Sequence, residues 1–146
     1  MKKAAIILAI VIAILLGVFV FYNPTHGPTA PPKEQATLSS DGRLAVTSLH
    51  AGDSITSPLT VTGTVTGGGW FFEATFPVKI ADGDGRIIGI GFAQAQADWM
   101  STSSVSFTAI VNFSKPRYAT GTVLLSKDNP SGEPANDASL SIPIKF

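Results

Sequence analysis

The 146-residue chain contains no cysteine. That excludes a disulfide framework, a redox thiol pair, a thiolate metal site and a lipid attached through an N-terminal cysteine. Charge is scarce as well. Asp, Glu, Lys and Arg make up 14% of residues, against an average of ~25%. Ten basic and ten acidic residues cancel over the whole chain. From Asp41 onward seven basic residues stand against nine acidic, a net charge of −2. Phosphate binding needs a basic patch, so nucleic acid is excluded as a partner. Nucleophile-elbow, zinc-ligand and phosphate-loop patterns are all missing. The chain therefore reads as a non-enzyme with no cofactor and no metal.

The most prominent feature present is Ala4 to Tyr22, AAIILAIVIAILLGVFVFY, free of charge and proline. At ~1.5 Å rise per residue, such a run predicts a helix of roughly 28 Å, about the thickness of a bilayer's hydrocarbon core. A cleavable signal peptide has a shorter apolar core ending at a small-x-small site. Here Phe19, Phe21 and Tyr22 occupy the positions where small residues are needed. An uncleaved membrane anchor over residues 1–22 is the expectation, with cleavage as its competitor. Lys2 and Lys3 precede the run, and no basic residue follows before Lys33. The positive-inside rule then places the N-terminus in the cytoplasm and the rest outside the cell membrane. Residues 23–40, NPTHGPTAPPKEQATLSS, hold four prolines among Thr, Gly and Ser. They read as an extended linker.

From Asp41 to Phe146 the hydrophobic period becomes two. Strands are expected near Arg43–Leu49, Leu59–Val65, Ala74–Ala81, Arg86–Gln96, Val105–Phe113, Thr120–Lys127 and Ser139–Lys145. Phe76, Val78 and Ile80 share one face with Ala74; Val105, Phe107, Ala109, Val111 and Phe113 share another; Leu140, Ile142, Ile144 and Phe146 a third. Such alternation belongs to antiparallel sheets with one buried and one wet face. Asp82-Gly83-Asp84-Gly85 predicts a hairpin turn. Pro77 and Pro143 cannot donate to a ladder, so their strands should be edges or bulged there. About seven short strands in ~100 residues predict an all-β, immunoglobulin-like antiparallel sandwich.

Several separated stretches carry a family resemblance. They are Ser57-Pro58-Leu59-Thr60-Val61-Thr62-Gly63, Phe71 to Val78, Asp84-Gly85, Gly89 to Ala93, Asp98-Trp99-Met100, Val105-Ser106-Phe107, Asn129-Pro130-Ser131-Gly132 and Ile142-Pro143-Ile144. In this order they resemble the immunoglobulin-like domain of bacterial spore-germination and sporulation proteins, from about Leu44 to Phe146. The resemblance implies a bacterial envelope protein whose domain mediates interactions and has no assigned catalytic residue. Relatives often carry a second domain of the germination type beside this one, and this chain has none.

The candidate binding residues lie in three loops. In Gly67 to Glu73, three glycines lead straight into Trp70, Phe71, Phe72 and Glu73. Exposed aromatics anchor proteins or sugars. The structural alternative has Trp70 and Phe72 closing the end of the sandwich, with Glu73 meeting an Arg. Trp99 follows as a second ring, with packing over the core rim as its alternative. Asn129, in a turn-rich loop, is the third. Asp82, Asp84 and Asp98 do not follow calcium-loop spacing, and His50 with Asp53 carries no triad motif. The leading expectation is a module that recognises an envelope protein, through its distal loops or by strand pairing at an edge. The alternatives are a wall-polysaccharide binder using Trp70 and Trp99, and a protease inhibitor suggested by Gly67-Gly68-Gly69, Lys115-Pro116-Arg117-Tyr118 and Asn129-Pro130-Ser131-Gly132.

Overall fold

The computed structural model describes residues 36–67 and 69–146. The expected anchor, Ala4 to Tyr22, and most of the expected linker lie outside the described residues. The described chain forms eight strands: β1 (Thr37–Leu38), β2 (Leu44–Val46), β3 (Leu59–Thr66), β4 (Thr75–Asp82), β5 (Ile87–Ala95), β6 (Ser104–Val111), β7 (Thr120–Ser126) and β8 (Ser139–Lys145). A 3-10 turn at Pro134–Asn136 precedes β8. All seven expected strands are present. The eighth, β1, is a two-residue strand within the stretch read as linker.

The strands hydrogen-bond in the order β1-β2-β3-β6-β5-β4-β7-β8, and every neighbouring pair is antiparallel. This ladder folds over on itself. Phe76 on β4 meets Phe107 on β6 ring to ring, with centroids 5.0 Å apart, across the core. β5 joins the two layers by pairing along β4 and, over Ala93–Ala95 only, with β6. The far edge of β8 is largely sealed. Ser40 donates to Ser139 O, Gly52 to Pro143 O and Ile55 to Lys145 O, while Lys145 donates to Asp53 O. The result is an all-β, immunoglobulin-like domain that is nearly barrel-like. Little β8 edge is left for a partner strand.

Alternation decides what is buried. Phe76, Val78 and Ile80 of β4, Val105, Phe107, Ala109 and Val111 of β6, and Leu140, Ile142 and Ile144 of β8 all point inward. The two strand prolines fall where a missing N–H costs nothing. Pairing of β4 with β7 begins only at Val78, one residue past Pro77. Pro143 O accepts from Gly52, so this residue faces the outer edge of β8. The irregularity in β4 lies at Ile80/Ala81 rather than at Pro77.

Strand direction sorts the connections into two ends. The β1–β2 turn and the β3–β4, β5–β6 and β7–β8 loops lie together at one end, called the loop end below. The segment between β2 and β3, the β4–β5 turn and the β6–β7 loop lie at the other. β1 runs toward the loop end.

Candidate functional site

All six candidate residues belong to the loop end. Backbone bonds hold its loops in contact: Gly67 donates to Ser103 O, Ala95 to Ala74 O and Asp128 to Trp70 O. Within this frame the aromatic run splits between inside and outside.

Trp70 is fully buried and Phe71 nearly so. Both rings pack on Phe76, at centroid distances of 5.7 and 5.3 Å. The indole N–H, which needs a partner once buried, donates to Asp41 Oδ2 at 2.9 Å. Asp41 also accepts from the Ser39 hydroxyl and the Arg43 N–H. Partial burial alone would raise the Asp41 pKa, but these three donors outweigh it and hold the carboxyl below its usual value. Trp70 and Phe71 therefore plug the end of the core and offer no surface to a ligand. Trp99 is half-buried and packs against the same core.

Phe72 and Glu73 go the other way. Phe72 and Thr75 exchange both backbone hydrogen bonds, 2.9 and 3.0 Å. Glu73 and Ala74 between them have φ of 50° and 66°. This is a two-residue turn of the I′ kind, which normally takes Asn-Gly because both central residues need positive φ. Side chains with a Cβ pay roughly 1–2 kcal/mol per residue for that conformation. The turn carries Phe72 into solvent, 43% exposed, with Glu73 exposed beside it. Met100, whose N–H is capped by the Asp98 carboxylate, stands out from the β5–β6 loop, also at the loop end.

Asn129 is an organiser of its own loop. Its Nδ2 donates to Glu133 O at 2.9 Å and to Asp137 Oδ1 at 2.7 Å, and its Oδ1 accepts from Ser131 at 2.6 Å. Both ends of its amide are committed to the loop's shape.

Charge divides between the two ends. The loop end holds Asp41, Glu73, Asp98, Asp128, Glu133 and Asp137 against Arg43 and Lys127. The rest of the described domain holds five cations against three carboxylates. One of those carboxylates, Asp82, is buried beneath the β4–β5 turn. It pairs with Arg86 at 3.0 Å and accepts the backbone N–H groups of Gly83, Arg117 and Tyr118. Desolvation would raise its pKa, yet the four donors lower it. Asp82 thus ties the two turns of the far end together, and the Arg117 and Tyr118 amides serve that tie. Asp53 likewise caps the His50 N–H at 2.8 Å. Met100 escaped the sequence reading. A lone Met after Trp99 gives no signal of its own.

Fold and loop arrangement define an immunoglobulin-like domain with four of its connections gathered at one end. The family model described as the immunoglobulin-like domain of bacterial spore germination matches residues 44–133, more than half the chain, and the protein belongs to that family. No curated protein and no solved structure gives a significant match.

Proposed function

We propose that this chain is a non-catalytic module of the bacterial envelope, working in or near spore germination, that engages a protein partner through its loop end. The observation that carries this reading is the Phe72–Thr75 turn. Two residues with Cβ atoms adopt positive φ, and the outcome is an aromatic ring held in solvent. Strain of this kind persists where the surrounding structure enforces it and tends to mark functional positions. Phe72 would be the anchor, with Met100 and Glu73 beside it, in an acidic setting that favours a partner of opposite charge.

Two features of the chain support an envelope location. Ala4 to Tyr22 has the length and apolarity of a single-pass anchor, and Lys2 and Lys3 favour a cytoplasmic N-terminus. The wall-polysaccharide alternative rested on Trp70 and Trp99 as a pair of exposed rings. With Trp70 buried and Trp99 half-buried, that platform has lost its first ring.

The test uses the full-length chain in its native membrane, with a photo-crosslinking residue at Phe72 or, as control, at exposed Ala51 on the opposite end. A discrete adduct from position 72 only, weakened by Glu73→Lys, is the expected result. Equal labelling from both positions, or retention of the purified chain by isolated wall polymer, would count against it. Phe72→Ala should weaken partner capture at least ~10-fold, as truncation of an interface anchor does.

A further inference from the structure

The β6–β7 loop carries Lys115-Pro116-Arg117-Tyr118, at the end of the domain away from Phe72. Lys115, Arg117 and Tyr118 are all exposed. Exposed loops are where proteases nick a folded chain first. An endopeptidase that cuts after basic residues finds proline behind Lys115, with no N–H and a fixed backbone, but no such obstacle behind Arg117. The other basic positions of the described domain offer less. Lys79 and Lys145 lie within β4 and β8, and Arg43 and Arg86 each lead straight into a strand. Lys127 is half-buried and precedes Asp128. By composition and exposure, Arg117–Tyr118 is the bond such an enzyme should take first.

The backbone there is committed elsewhere. A protease takes its substrate as an extended strand, bonded through main-chain groups on both sides of the scissile bond. Here the chain bends from Arg117 to Ala119. The Arg117 N–H donates to Asp82 Oδ2 at 2.8 Å, and the Tyr118 N–H, part of the scissile amide itself, donates to Asp82 Oδ1 at 3.2 Å. The acceptor cannot follow the loop outward. Its side chain is wholly buried and is held from the other side by the Gly83 N–H and the Arg86 guanidinium. Tyr118 also lies close on the β4–β5 turn, where a Cβ on Gly83 would come within 2.9 Å of Tyr118 Cβ.

Presenting the bond to an enzyme therefore requires the loop to lift off this turn, which leaves a buried carboxylate short of two donors. When opening is fast, cleavage tracks the population of the open form. The same geometry bars the loop from working as a protease inhibitor, since an inhibitor loop must also offer an extended backbone.

We propose that Asp82 is a lock against endopeptidases specific for basic residues, keeping Arg117–Tyr118 exposed in sequence but closed in conformation. Hydrolysis would add water across that bond, leaving a carboxylate on Arg117 and an amine on Tyr118. With no disulfide in the chain, β7 and β8 would then be joined to the rest by noncovalent contacts alone.

The test treats the full-length chain in detergent micelles with trypsin and times each cut by mass spectrometry. The free peptide Phe113–Gly121 serves as the unlocked reference. The native chain should be cut at Arg117–Tyr118 at least ~100-fold more slowly than the peptide, without inhibiting the enzyme. Asp82→Asn should speed that cut at least ~10-fold more than it speeds cutting after Lys79 or Lys127. A second measurement needs no variant. Corrected for intrinsic rates, the Arg117 and Tyr118 amides should exchange hydrogen at least ~10-fold more slowly than the Lys115 amide. Rapid cutting of the native chain at Arg117, a parallel rise at all three sites in Asp82→Asn, or equal exchange across the loop would overturn the proposal. So would inhibition of trypsin by the native chain, which would make the loop an inhibitor after all.

Discussion

Asp82 and Trp70 show how single side chains hold the two ends of this domain. The Asp82 carboxylate accepts three backbone N–H groups and an Arg86 N–H, and its pKa lies below the ordinary 3.8. A carboxyl with a lowered folded-state pKa contributes its full stability above the unfolded value. That contribution fades as pH falls from about 4 through the lowered value. Urea unfolding measured from pH 6 to pH 2 should therefore show stability falling below about pH 4. Asp82→Asn should be less stable at pH 7 and show a shallower fall, since one amide end donates where only acceptors fit. Trp70→Ala, removing a buried ring and its bond to Asp41, should cost about 3–5 kcal/mol in the same measurement. Phe72→Ala, two positions along, should cost about 1 kcal/mol or less because the ring is already partly wet. The sequence placed both rings in one candidate cluster. It could not tell them apart, because a loop has no period from which an inward phase can be read.

At the scale of elements, the alternation in β4, β6 and β8 was legible because large residues occupy one phase and polar ones the other. β5 alternates just as clearly, Gly-Ile-Gly-Phe-Ala, but the usual rule would turn Ile90 and Phe92 inward. The pattern fixes that a strand is present, and only the close approach of Phe113 and Ile110 shows which side must be small. Gly91→Val should therefore destabilise by about 1–3 kcal/mol in thermal or urea unfolding, as overpacking does. The β3–β4 turn was equally hidden, since Glu-Ala is not a sequence that announces positive φ. Glu73→Asn with Ala74→Gly should relieve it and raise stability by about 1 kcal/mol. The same double variant keeps the turn type and the place of Phe72, but it removes the Glu73 charge, so partner capture should weaken, though less than with Glu73→Lys.

Over the whole molecule, closure matters more than any single strand. The family match ends at residue 133, before β8 begins. Yet β8 buries Leu140, Ile142 and Ile144, and its outer edge receives the bonds from Ser40 and Gly52 to Ile55. Burial of three such side chains contributes roughly 5–9 kcal/mol, comparable with the ~5–15 kcal/mol that separates a folded domain from its unfolded chain. A chain stopped after Glu133 should therefore fail to give a cooperative melt by circular dichroism. The charge division is a second whole-molecule property, and one that a net figure of −2 conceals.

That division has a practical consequence for anyone immobilising the domain. On a polycation-coated sensor chip the domain would settle with its six loop carboxylates downward, and Phe72 would be out of reach of any analyte. A polyanionic coating would reverse the pose and leave that ring facing the flow.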